Sequence, residues 1–100
     1  MSRASRKIEQ HNEDSFVAWC EGRGYKCKKL IEDERKGFPD RSVFLDGGRS
    51  VIIEFKAPGG TVSHHQREQI KDLKKLGHSV HVAFSCEEAI QIVEGVLANG

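Results

Sequence analysis

Val51, Ile52, Ile53 and Phe55 form an apolar, β-branched and aromatic run of the kind found in a central strand covered on both faces. Glu54 and Lys56 interrupt that run. Side chains alternate along a strand, so the two point the same way, about 7 Å apart along the chain. Burying such charges costs on the order of several kcal/mol each unless they are paired or bind a metal. Asp40 stands fourteen positions before Glu54, directly after Pro39. Two carboxylates suit a hard divalent cation, since Mg²⁺ takes oxygen ligands and usually only one or two carboxylates, with water and substrate phosphate completing its shell. Such a cation activates water and neutralises the charge that builds on a phosphodiester under attack. Lys56 would add a positive charge beside that water, or steady the phosphate. Plainer readings compete: Asp40 as a turn cap after Pro39, and Glu54 with Lys56 as a structural ion pair at a sheet edge.

The surrounding sequence supplies elements to position these residues. A helix is expected over Ser5–Glu21, with Phe16, Val17, Trp19 and Cys20 on its apolar side and Gly22 and Gly24 ending it. Tyr25–Ile31 reads as a basic strand, Glu32–Gly37 as a charged loop and Arg41–Leu45 as a short strand. Asp46-Gly47-Gly48 signals a hairpin, because glycine accepts the positive φ of tight turns, and Ser50–Lys56 is the returning strand. Ala57-Pro58-Gly59-Gly60 breaks it. Ser63 with Gln66 matches a capping box opening a helix to Leu76, with Ile70, Leu73 and Leu76 as its core stripe. Val80–Phe84 is a strand. Ser85 with Glu88 is a second capping box, and Cys86, Ala89, Ile90, Val93, Val96 and Leu97 line one side of a last helix. The order predicts an α/β sandwich, α-β-β-β-α-β-α, with a mixed sheet: a hairpin first, then a parallel crossover.

The composition is compatible with this. One hundred residues suit a single domain spanning 1–100, and 31% charged against 37% hydrophobic residues suits a globular rather than a disordered chain. No apolar run approaches the roughly 20 residues of a membrane helix, and no apolar stretch follows the basic N-terminus as in a secretory signal. Cys20, Cys27 and Cys86 lack C-x-x-C spacing. A reducing, intracellular setting is expected, and a zinc site is disfavoured. A net charge of +1 argues against non-specific coating of nucleic acid, so contact with it must come from a local basic face.

The motif Pro39-Asp40, then Glu54-Phe55-Lys56, on this order of elements, resembles the PD-(D/E)xK nuclease superfamily, whose fold is restriction-endonuclease-like. Within it the chain is most similar to the virus-type replication-repair nuclease domain, VRR-NUC. The matching segments are Gly37-Phe38-Pro39-Asp40-Arg41, Glu54-Phe55-Lys56-Ala57-Pro58-Gly59 and Gln66, with Glu13 eleven residues before Gly24. The small size is that of stand-alone phage members. The resemblance implies Asp40, Glu54, Lys56 and Gln66 as catalytic residues. It implies Mg²⁺ or Mn²⁺ held by Asp40, Glu54 and the Phe55 backbone carbonyl, with Glu13 as a further ligand. Glu9 competes with Glu13, because their four-residue spacing puts both on one helix face. Gln66 also reads as a capping-box residue, and one hydrogen-bond geometry is not expected to serve both roles.

The resemblance further implies a structure-specific DNA endonuclease acting on branched DNA, with the four-way (Holliday) junction as the leading target and a flap as the alternative. Two symmetric cuts would make a homodimer the economical assembly. His64, Arg67, Lys71 and Lys74 recur at three- and four-residue spacing, which fits either a phosphate-contacting face or an ordinary solvated one. Lys26, Lys28 and Lys29 form a second basic patch, and Arg3, Arg6 and Lys7 a third. A catalytically silent nucleic-acid-binding module is the competing class, though intact acids and lysine argue against it. A restriction-type enzyme would need base-reading appendages for which 100 residues leave little room.

Overall fold

The computed structural model describes residues 2–30 and 37–99. Its elements are α1 (Arg3–Gly22), β1 (Lys26–Lys29), β2 (Arg41–Phe44), β3 (Ser50–Phe55), α2 (His64–Lys75), β4 (Val80–Ala83) and α3 (Cys86–Asn99). The expected charged loop falls outside the described residues apart from Gly37, as does the last residue of the expected first strand.

The four strands form one sheet in sequence order. β1 pairs with β2 and β2 with β3 antiparallel, while β3 pairs with β4 parallel. The sheet is therefore mixed, as expected. The β2–β3 turn uses Gly47 and Gly48 at φ 75° and 72°, a backbone region that L side chains disfavour. The parallel step takes α2 across the sheet.

Alternation divides β3 into two chemistries. Val51, Ile53 and Phe55 are fully buried on the face covered by α1 and α3, with Val43, Phe16, Cys20, Ala83, Ala89 and Val93. The Phe16 ring meets Phe55 at 5.6 Å between centroids, which fixes α1 over the centre of the sheet. Ile52 and Glu54 point to the opposite face, where α2 lies. β1 tolerates three lysines because it is an edge strand: only Cys27 reaches the core, and the lysines stay exposed.

Ser2 caps α1 through a 3.0 Å bond from the Ser5 N–H. Ser85 caps α3, accepting from the Glu88 N–H at 3.0 Å. The reciprocal contact differs from a strict capping box, because the Glu88 carboxylate accepts from the Phe84 N–H instead of the Ser85 N–H. Leu76 departs from its expected place in the α2 core stripe. It is the C-cap residue, 76% exposed, and Gly77 at φ 98° turns the chain away at that point. Ile92 joins the core of α3, where it was not expected. Arg49, just ahead of β3, donates to the Val96 and Leu97 carbonyls, satisfying the end of α3.

Candidate active site

Register brings the two acids together. Arg41 of β2 lies opposite Ile53 of β3. One step further along the same register sets Asp40 opposite Glu54, and a second sets Pro39 opposite Phe55. Cross-strand partners share a face, so Asp40 and Glu54 meet on the α2 side. The Phe55 N–H donates to Asp40 Oδ2 at 2.8 Å, which fixes the Asp40 carboxylate against the end of β3.

The same register frees the Phe55 carbonyl. Ile52 and Lys56 donate to Ser79 and Ala83 of β4, so the intervening odd-numbered groups of β3 turn toward β2. Opposite Phe55 stands proline, which has no N–H to give. The proline of the Gly-x-Pro-Asp segment thus withholds a ladder donor from a carbonyl that lies beside Asp40 and Glu54.

Glu54 is 3% exposed. Its Oε2 accepts from Gln66 Nε2 at 2.6 Å and lies 3.5 Å from Lys56 Nζ. Its Oε1 is buried with no hydrogen-bond partner. Burial, and then the charge of Asp40, push the Glu54 carboxyl up to about 8. Burial also raises Asp40, against the lowering influence of the Phe55 N–H. Without a cation, burial and the neighbouring Asp40 charge favour the protonated form of Glu54.

Gln66 performs both roles that were set against each other. Its Oε1 accepts from the Ser63 N–H at 2.9 Å, closing the capping box, while its Nε2 donates to Glu54. The expectation that one geometry could not serve both fails because an amide has an acceptor end and a donor end. The helix cap therefore aims the amide at the acid. Gly37 sets the approach from the other side. A Cβ there would stand 2.7 Å from the His65 carbonyl carbon and 2.8 Å from the Gln66 nitrogen, at φ 94°. Only glycine lets the segment ahead of Asp40 press against the start of α2.

Beyond Lys56 the chain turns at once. Gly60 donates to the Ala57 carbonyl at 2.8 Å, with Gly59 at φ 80°, a type II turn with proline in its usual place. A cleft lined by Ser5, Lys56 and the 57–61 turn opens beside the lysine.

The acids of α1 divide their work. Glu13 is buried and ion-paired to Arg41 at 2.7 Å, with Lys29 at 3.9 Å. Glu9 faces the centre: its strongest charged neighbours are Lys56 and then Asp40, the Ala57 N–H favours its ionised form, and burial raises its pKa. Glu9 Oε1 is buried without a partner, as Glu54 Oε1 is. Arg41 engages Glu13, whose charge also reaches Asp40, while α1 places Glu9, one turn earlier, against Lys56. The four-residue spacing showed that both share a face, and the Arg41 partner is what distinguishes them in the fold.

The donor set fits a hard cation of the Mg²⁺ or Mn²⁺ type. It offers carboxylate and carbonyl oxygens, one of them buried and unpartnered, with a second such oxygen on Glu9 behind. Among the described residues no three His, Cys, Asp or Glu side chains form a ready ligand cluster. A cation would thus take Asp40, Glu54 and the Phe55 carbonyl, and water for the rest. His64 and His65 diverge, their ring centroids 6.0 Å apart. His64, Arg67, Lys71 and Lys74 all lie exposed along α2. Arg67 is steadied by a 2.8 Å bond to the Val62 carbonyl. The Lys26, Lys28 and Lys29 patch is split, since Lys29 turns to the α1 face and Glu13 while Lys26 and Lys28 face the other way.

The sequence profile of the VRR-NUC domain matches residues 6–86. The chain belongs to the VRR-NUC domain family. A solved VRR-NUC domain superposes with a TM-score of 0.77 at 25% identity, covering 87% of this chain and 95% of its own. A second VRR-NUC domain protein superposes at 0.79 and 18% identity, covering 93% and 90%, and supports the fold. A protein of Acyrthosiphon pisum secondary endosymbiont phage 1, named "Putative nuclease p44", is 39% identical over 57 residues, which is 57% of this chain and 61% of that protein. The chain thus spans less than two thirds of that relative's length. The matched VRR-NUC span holds Glu9, Glu13, Asp40, Glu54, Lys56 and Gln66. Among the described residues no helix is long and apolar enough to cross a membrane.

Proposed function

We propose that this VRR-NUC domain is a Mg²⁺- or Mn²⁺-dependent DNA endonuclease. The observation that carries the reading is the Asp40–Glu54 pair: a buried acid with an unpartnered oxygen and a half-buried acid, brought together by strand register beside Lys56. Folding alone would not favour such a cluster, and a cation would relieve it. A bound cation would neutralise charge on the phosphate and acidify the attacking water. The chain's own groups do the rest. Asp40 is oriented by the Phe55 N–H. Glu54 is held by Gln66. Lys56 sets a cationic donor beside Glu54, where it steadies the phosphate or the developing charge. Glu9 stands behind Lys56 and Asp40 and serves the site in place of Glu13.

Branched DNA is the proposed substrate class, with the four-way junction first and a flap second. Among the described residues no base-reading appendage extends from the fold, which favours selection by backbone shape. Resolution of a four-way junction requires two cuts, for which a C2 homodimer supplies the two sites. Exposed cations on α2 are the proposed phosphate contacts.

The test is cleavage of a labelled four-way junction, a flap and a linear duplex, with Mg²⁺ or Mn²⁺ and with EDTA, comparing wild type and Lys56→Ala. Metal-dependent cutting of a branched substrate, lost in the variant, is expected. Absence of cutting on all three substrates with either metal would overturn the reading.

A further inference from the structure

Among the described residues, one half of the sheet's second face is left open. α2 lies along β4 on that face. Among the described residues no helix lies above the even-numbered residues of β1 and β2. Phe44 is 52% exposed there, the exposed phenyl ring among the described residues. Register sets it between Lys26 of β1 and Ser50 of β3, and sets Lys28 beside Ser42 in the next row. Lys26, Lys28 and Ser50 are exposed as well. The following row holds Asp40 and Glu54. An aromatic ring flanked by two lysines thus lies on the same face of the sheet as the candidate catalytic acids.

Folding does not account for this ring. Its neighbours in sequence, Val43 and Leu45, enter the core, whereas Phe44 points outward on a strand that could equally carry a polar residue. The flanking cations favour a polyanion over an apolar partner. A flat ring with cations beside it is the arrangement on which unpaired bases stack, while Lys side chains track the phosphates. Paired bases inside a duplex cannot reach such a ring. Two rows of sheet separate Phe44 from Glu54, about 13 Å, a span of a few nucleotides.

We propose that the open sheet face around Phe44, Lys26 and Lys28 binds an unpaired DNA strand leaving the scissile phosphate. The inference rests on the nuclease reading and reorders its substrates: a flap, which has a single-stranded arm, comes ahead of the fully paired four-way junction. Phe44 stacks on a base a few nucleotides from the cut, and the two lysines contact the intervening phosphates.

The experiment measures binding, so it stands apart from catalysis. Fluorescence anisotropy would follow a duplex with a single-stranded tail and a blunt duplex of the same sequence, without divalent metal. The proteins are wild type, Phe44→Ala, Phe44→Trp and Lys26→Ala/Lys28→Ala, with far-UV circular dichroism to confirm folding. Phe44→Ala should weaken tailed DNA about tenfold or more and blunt duplex less than about twofold. Phe44→Trp should retain tailed binding and show quenching of the added indole. The double lysine variant should lower the salt slope by about 1.4, from about 0.7 per phosphate contact on a single strand. Unchanged affinity of Phe44→Ala for the tail would overturn the proposal even if metal-dependent cleavage is intact. Conversion of a dimer to a monomer by Phe44→Ala in light scattering, with both DNAs weakened alike, would also overturn it and assign the face to self-association. Absence of cleavage on every substrate would refute the nuclease reading while leaving this binding result to be read on its own.

Discussion

Glu54 makes the metal-free protein sensitive to pH in a direction opposite to that of an ordinary paired acid. Its carboxyl ionises near 8 in the fold, against 4.5 for the free group. Between those values the folded state holds a proton that the unfolded state has released. Stability from this group is full below about 4.5, falls as pH rises, and levels off above about 8. From pH 6 to pH 9 the difference amounts to about 2–3 kcal/mol, at 1.36 kcal/mol per unit of pKa displacement. For a domain of this size that is a fall in Tm on the order of ten degrees or more. Burial raises Asp40 as well, so its contribution has the same sign. The assay is thermal unfolding in EDTA across pH 6–9, comparing wild type with Glu54→Gln, which keeps the shape of the acid but not its charge. Wild type should lose stability with rising pH, and the variant should run flatter and overtake it at pH 9. Saturating Mg²⁺ should restore wild type at pH 9 and leave the variant unmoved, because a ligand stabilises only the state that binds it. Parallel Tm curves for the two proteins would refute the claim that Glu54 is held protonated beside Asp40.

The two α1 acids should separate by assay. Glu13→Ala strands Arg41 and should cost on the order of 3 kcal/mol in denaturant unfolding, whereas Glu9→Gln should leave stability nearly unchanged and lower turnover at saturating metal. Gln66→Ala should reduce both helix stability, by about 1 kcal/mol, and turnover, since cap and Glu54 contact are one side chain; Gln66→Glu should not rescue turnover, because it loses the donor end. Gly37→Ala should impair metal binding in calorimetry more than its distance from the metal would suggest, because its Cβ would collide with the α2 backbone.

Much of the site was legible because its chemistry conflicts with folding. Glu54 and Lys56 in an apolar strand, Pro39-Asp40 ahead of a short strand, and glycines at a strand's end are local signals that a single chain displays. The four strands and three helices followed for the same reason, since turn residues and apolar periodicity mark them. What escaped the sequence depended on distance in three dimensions. The different surroundings of Glu9 and Glu13 turned on Arg41, 28 residues further on than Glu13, pairing with one of them. The double use of Gln66 needed the angle between α2 and β3. Leu76 matched the helix period but fell at the cap, where period no longer predicts burial. The role of Pro39 in sparing the Phe55 carbonyl became visible only with the register, and the open face around Phe44 only once α2 was seen to lie along β4.

The most direct test of the central claim is single-turnover cleavage of a labelled branched DNA in Mg²⁺ or Mn²⁺ by wild type, Asp40→Asn and Glu54→Gln, with DNA affinity measured for each in EDTA. The account predicts cleavage by wild type alone and similar DNA affinity for all three proteins. Near-wild-type turnover in either variant would contradict the assignment of the Asp40–Glu54 pair as the metal-dependent catalytic centre.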